Sequence, residues 1–395
     1  MADGSCDLLA AAFGAVGIQA EVTPRSDSHT LELGARYTSG DECFPAKVTI
    51  GDFMKVLQAP QANLSDIVLF MPLADGPCRY GQYAPYLRNV LDRSGYSQVR
   101  ILSPNCNDGY MSLGRVARPF LRTAWRAAVA GDILQKALLM TRPYETGVGA
   151  TNQVYERSVQ YLSTVIAEAP VNARSQLRAM CEALETCRER FCAVAVDRHA
   201  ERPLIGIVGE IFCRMNSFSN QSTIRKLEDY GAETWLAGFT EWVWYTNSEE
   251  LRLLKLRGDR WGWRWWSARL RCHIERSDEE ALLEPFAADF ACRPEPPIEE
   301  ILSSARPYLP PEGAMGEMVL NVGAVPCLAR RGVAGIIDIS PFTCMNGIVS
   351  EALYPRISAD FGGLPIRSLY FDGTTADLDL ELGVFIEMAR SFALQ

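Results

Sequence analysis

Apolar positions along the 395-residue chain follow two rhythms. Short apolar runs bounded by Gly, Pro, Asp or Ser occur at 66–73 (DIVLFMPL), 98–104 (QVRILSP), 203–212 (PLIGIVGEIF), 232–238 (AETWLAG), 334–340 (AGIIDIS) and 366–373 (IRSLYFDG). Runs of that length and composition predict buried strands. Residues 109–197 carry almost no such signal and read as long helices interrupted by Pro143 and Pro170. Strand, turn and helical pattern in alternation is the signature of βαβ units, so the expected fold class is α/β with parallel sheets. The strands fall into two groups, and a chain of this length exceeds one ordinary core. The boundary is placed near Arg202–Pro203: an α/β domain with long helices over 1–200, then an α/β domain over 201–395 with a helical insertion at about 240–310.

Composition narrows the function classes. Apolar residues make up 48% and charged residues 22%, ordinary for a globular chain with a large core. The net charge of −9 is spread without a basic block, so nucleic acid is not an expected partner. No apolar run reaches the ~20 residues of a membrane span, and the start MADGSCDLLAAAFGAVG lacks a basic leader region, so a cytoplasmic location is expected.

Twelve cysteines change the picture, because a reducing compartment argues against a disulfide framework and points some thiols toward metal. Only His29, His199 and His273 are present, which leaves little material for mixed Cys/His zinc sites or histidine triads. Three cysteines share one local design. Cys78 follows the strand run 66–73 after a Gly-Pro turn, and Cys344 follows 334–340 after a proline and before a helical pattern. Cys43 sits at a loop-to-helix junction, with Asp41 placed to cap and Pro45 near the first turn. Helix N-termini lower thiol pKa values and favour thiolate ligands, so three such thiols suit one cluster. The alternative for each is an ordinary buried cysteine. Spacing does not decide, since 35 residues separate Cys43 from Cys78 and 266 separate Cys78 from Cys344.

The strings YTSGDECFPAKVTIGDF, DGPCRYGQYAPYLRNVLDRSGY, GEIFCRMNSFSNQSTIRKLEDYGAETWLAGFTEWVWY and IIDISPFTCMNGIVSEALYPRI resemble the 2-hydroxyacyl-CoA dehydratase/benzoyl-CoA reductase superfamily, in particular its activase-associated branch. The likeness covers most of residues 30–395. It implies two flavodoxin-like or Rossmann-like domains with additional helices and a 4Fe–4S cluster between them, held by Cys43, Cys78 and Cys344. Three thiolates leave one iron open, the arrangement that separates catalytic from closed structural metal sites. Relatives either bind an acyl-CoA there or join two clusters as a double cubane. For the latter, Cys106 and Cys213, both at strand ends, are the reserve positions, and both also fit buried thiols.

The remaining signals divide. Arg214, Asn216, Ser217, Ser219 and Asn220 form a polar loop after a strand, suited to a cofactor or its substrate, with N-capping by Ser219 or Asn220 as the plain alternative. The tract DRWGWRWWSARLR (259–271) fits either a partner surface or interdomain packing. FDGTT (371–375) resembles an actin-like phosphate loop, but a helix cap is the simpler reading and no second phosphate loop is evident. Cys181, Cys187 and Cys192 lie on a helical stretch, and Cys6, Cys272, Cys292 and Cys327 have no partner motif. The expected function is an iron–sulfur dehydratase or reductase component, either a lyase or an oxidoreductase, in a homo- or hetero-oligomer. It takes low-potential electrons from an ATP-dependent, actin-like activase, with an acyl-CoA as substrate. A non-catalytic electron-transfer or scaffold subunit, or a double-cubane reductase of small molecules, is the alternative.

Overall fold

The computed structural model describes residues 4–74, 76–105, 110–169, 172–259, 262–374 and 377–394. All six strand runs carry strands: β1 (Val68–Phe70), β2 (Arg100–Leu102), β3 (Leu204–Gly209), β4 (Glu233–Leu236), β5 (Gly335–Pro341) and β6 (Ile366–Phe371). Every pairing between these strands is parallel, which makes the protein α/β with two parallel sheets. Among the described residues the first contains β1 and β2, extended by a bridge between Leu73 and Asn105. Helices Ser28–Tyr37, Phe44–Leu57 and Tyr83–Arg93 cover it. Asp27 and Thr30 close a capping box at the first of these helices.

The second sheet has the order β4-β3-β5-β6. Numbered within the sheet this is 2-1-3-4, the start of the flavodoxin-type order, and the direction of winding reverses between β3 and β5. These two strands are buried on both faces, as the helices of a parallel sheet require. Ile205, Ile207, Ile337 and Ile339 pack on one face with helix Leu378–Ala393, whereas Val208 and Ile336 pack on the other with Val319, Val322 and Val325. The alternation follows the two-residue period of a strand.

The expected helical region forms as Ala117–Thr141, Ala150–Glu168 and Ala173–Cys192, with Pro143 in a short 3-10 turn after the first. Pro170 lies outside the described residues. These helices share one core with Ser5–Gly14 and with Phe286 and Leu282 from the far side of the Arg202–Pro203 junction. The helical core therefore draws on both halves of the sequence. Its polar tie is Arg126, fully buried, which donates to Asp278 at 2.8 and 3.0 Å while Arg122 grips the same carboxylate. Several polar links join this layer to the second sheet and its helices, among them Tyr144, which donates to Glu233 of β4 at 2.6 Å. Asp132 accepts from the amides of Phe239 and Thr240 at 3.0 and 2.8 Å, capping a helix whose own N-cap, Gly238, has no side chain. Arg142 forms a two-pronged pair with Glu228 at 2.7 and 2.9 Å.

Candidate metal centre

Cys43, Cys78 and Cys344 occupy the same kind of position in three different elements. Cys43 is the N-cap of helix Phe44–Leu57 with φ −65° and ψ 152°. Cys78 precedes the 3-10 turn Arg79–Gln82 with φ −69° and ψ 139°. Cys344 is the N-cap of helix Met345–Asp360 with φ −68° and ψ 122°. The N-cap of the first helix is Cys43 itself and not Asp41, whose carbonyl instead accepts from Arg79 at 2.9 Å. Pro45 stands in the first turn, where its missing N–H costs nothing.

Packing gives the three ends shared surroundings, though their side chains do not gather closely enough to hold a single ion. Phe44, directly after Cys43, is buried in the core of the second sheet beside Phe371 and Leu378. Room for its ring comes from Gly373, which has φ 94° and where a Cβ would stand 2.9 Å from the ring. Cys43 Sγ and Tyr83 Oη share a hydrogen bond of 2.7 Å, and Tyr83 opens the helix that follows the Cys78 turn. Cys344 sits beyond the carboxyl end of β5, at the reversal point between β3 and β5 where open α/β sheets place ligands. From β3 the chain continues through Gly209, held at φ 119° against the backbone of Ile339, into Glu210. The charge of Glu210 reaches Cys43, Cys78 and Cys344 alike.

Burial dominates the electrostatics. Partial burial pushes Cys43 up and Cys344 to about 12; Cys78, whose residue is exposed, is pushed to about 11 by the protein crowding its sulfur, and the carboxylates of Glu210 and Glu317 add to the rise at the latter two. The expected lowering at helix N-termini is therefore overturned in sign: first-turn amides near Cys43 and Cys344 do favour the thiolate, but removal from water outweighs them. Glu210 is raised by burial although its oxygens accept from the amides of Phe212 and Cys213 at 3.0 and 2.8 Å. Glu317 accepts from Ile211 N at 2.7 Å and rises to about 8, through burial first and the like charge of Glu210 second. Asp338, fully buried, is held by Ser340 at 2.7 Å and by the hydroxyl of Tyr354. Arg214 is the cation whose charge lowers all three carboxyls.

Cys213 is fully buried and feels Cys344 and Cys43, so the second reserve position borders the same site; Cys106 lies outside the described residues. The polar loop is used differently from the expectation. Arg214 donates to the carbonyls of Gly209 and Gly238 at 3.1 and 3.2 Å. Asn216 Oδ1 accepts from Ser219 N at 2.8 Å, and Asn220 donates to the carbonyls of Cys213 and Arg214. Asn216 and Asn220 thus brace the loop from within, whereas Arg214, Ser217 and Asn220 also border a cleft of about 1530 Å³ against helices Ser5–Gly14 and Ala150–Glu168. Ser222, in the left-handed region, directly precedes the next helix without a side-chain cap bond, whereas Asn220 Oδ1 accepts from that helix's first amide, Thr223 N, at 3.3 Å, so Asn220 does part of the capping. Asp372 of FDGTT accepts from Thr374 N and its hydroxyl, an Asx turn; Thr375 lies outside the described residues.

The described cysteines are all free. Cys181, Cys187 and Cys327 engage Ala281 O, Ser158 O and Ser304 Oγ, as packing thiols do. Among the described residues no three His, Cys, Asp or Glu side chains gather closely enough to hold a single ion. The three N-cap thiols share surroundings without closing on one point. Sequence reasoning missed Tyr83, Glu210, Glu317 and Asp338. Glu210, directly after a strand run, carried a positional signal; Glu317 carried none. Compared with models of known protein families and with curated proteins, the chain matches none.

Proposed function

We propose that this protein is an iron–sulfur component of the 2-hydroxyacyl-CoA dehydratase type, taking low-potential electrons from an ATP-dependent, actin-like activase. The observation that carries the reading is that three N-cap cysteines, from three separate elements, share surroundings that include one half-buried carboxyl, Glu210. The donor set fits a 4Fe–4S cluster: three soft sulfurs, each at a helix start that offers amides to a negatively charged group. Cys43, Cys78 and Cys344 would hold it, with Cys213 beside them if the group is a double cubane. Bound there, the group supplies one-electron chemistry with an iron free of protein thiolate.

The chain's own residues set the conditions around it. Tyr83 donates its hydroxyl to Cys43 once that sulfur is a thiolate. Glu317, raised to about 8 by burial first and the charge of Glu210 second, holds its proton at neutral pH. The charge of Arg214 opposes the rise at Glu210 and Glu317, and with Ser217 this arginine borders the cleft proposed to receive the acyl-CoA, while Asn216 braces their loop.

The test is iron and acid-labile sulfide in anaerobically purified Cys78→Ser beside Cys187→Ser. Cys78→Ser is expected to lose the cluster or drop to a three-iron form, because a hydroxyl is a poor iron ligand. Cys187→Ser is expected to keep it, at a stability cost of about 1–3 kcal/mol. Equal iron in the two variants sinks the assignment. Binding of an acyl-CoA by the isolated chain separates a catalytic component from an electron-transfer subunit.

A further inference from the structure

The insertion between β4 and β5 ends in a surface that the candidate metal centre does not use. Helices Phe239–Leu256 and Trp263–Leu283 run antiparallel, because their contacts step in opposite directions: Trp244 with Glu279 at 3.0 Å, Asn247 with Glu275 at 2.7 Å, then Glu250 with Arg271. The tip of this hairpin is therefore the last turn of the first helix and the opening turns of the second. Four large apolar side chains stand in water there: Leu256 at 70% exposure, Trp263 at 83%, Trp266 at 51% and Leu270 at 59%. Trp263, Trp266 and Leu270 are spaced by three and four residues, so they form one stripe. Ala268, on the opposite side of that helix, is buried.

Four cations lie on the turns of this tip, with Arg264 on the Ala268 side of its helix. Lys255, Arg257, Arg264 and Arg269 are all exposed. None forms an ion pair with a described carboxylate, and Arg269 lies over the Trp265 ring at 4.9 Å. In a chain of net charge −9 this is a local reversal of sign. We propose that the hairpin tip docks on an anionic lipid surface, its indoles and leucines entering the headgroup boundary while the four cations meet lipid phosphates. Trp and Leu flanked by Lys and Arg is the composition that holds a helix in the membrane interface. No described helix is long and apolar enough to cross a membrane, so the contact is peripheral. A nucleic acid would engage the arginines and the indole faces but leave Leu256 and Leu270 in water.

The test uses the full chain with vesicles of phosphatidylcholine alone and of phosphatidylcholine mixed equally with phosphatidylglycerol, read by co-sedimentation and tryptophan emission. Binding and a blue shift are expected only with the anionic vesicles, weakened at about 0.5 M salt, where screening is nearly complete within a few ångströms. Trp263→Ala/Trp266→Ala and Arg264→Glu/Arg269→Glu should each lower affinity by roughly tenfold or more, since each surface cation adds measurably to such binding. All four positions are exposed, so unchanged circular dichroism and melting temperature serve as the folding control. Absence of binding, equal binding by the variants, preference for a single-stranded oligonucleotide over vesicles, or loss of a dimer on Trp263→Ala/Trp266→Ala by light scattering would each overturn the proposal.

Discussion

Cys43 Sγ lies 2.7 Å from Tyr83 Oη, a hydrogen bond that joins the helix cap at residue 43 to the helix that follows the Cys78 turn. Burial, and then the neighbouring Cys43, raise the tyrosine well above its ordinary value, so the hydroxyl keeps its proton and donates whenever Cys43 is ionised. Burial is the largest influence on Cys43 and raises it, with Tyr83 the first of those that oppose the rise. Tyr83→Phe should therefore move the midpoint of the alkylation rate of Cys43 to higher pH, at a stability cost of about 0.5–1.5 kcal/mol. Mass-spectrometric rates for Cys43 across pH check this, and a midpoint that stays put or falls would contradict it. The measurement needs no bound cluster.

Loading a soft metal should release protons. Desolvation raises Cys43, takes Cys78 to about 11 and Cys344 to about 12, so at pH 7 all three are thiols, while a metal takes them as thiolates. About three protons per site should appear in weakly buffered solution, and apparent affinity should fall as pH falls. Titration of the anaerobic metal-free chain with pH readout settles it; release unchanged in the Cys78→Ser/Cys344→Ser double variant would remove these thiols from the site.

Asp278 should set part of the acid stability. Burial raises its pKa, but the hydrogen bonds from Arg122 and Arg126 outweigh burial and leave it below the ordinary value of 3.8. A carboxyl depressed in the folded state contributes stability that is present above its unfolded pKa and is lost as pH falls through the lower folded value. Asp278→Asn should therefore lose little further stability in strong acid but about 3–5 kcal/mol at neutral pH, where it leaves the fully buried Arg126 without its counter-charge. Urea unfolding at several pH values checks both halves.

Asp132 caps a helix that is distant in sequence, accepting from Phe239 N, Thr240 N and Thr240 Oγ1. Asp132→Ala should cost about 0.5–2 kcal/mol, the usual loss of a cap, and speed amide exchange first in the opening turn of helix Phe239–Leu256. Exchange that speeds evenly over the whole chain would argue against this placement.

The sequence by itself determined the strands and the long helices. Apolar runs such as LIGIVG and GIIDISP report burial on both faces directly, and each became a strand at the expected place. It also placed Cys43, Cys78 and Cys344 at helix starts, because proline and turn residues mark such junctions locally. Only the tertiary structure decided that these junctions share Glu210, that Tyr83 reaches Cys43 across 40 residues, and that Glu317 faces Ile211 from 106 residues away. It decided, too, that Asn216 and Asn220 brace their own loop and that the Cys78 and Cys344 thiols are raised where their helix ends alone would lower them. Strand and cap signals depend on neighbours in the chain. Desolvation and charge depend on what the fold brings alongside, and a linear pattern carries neither.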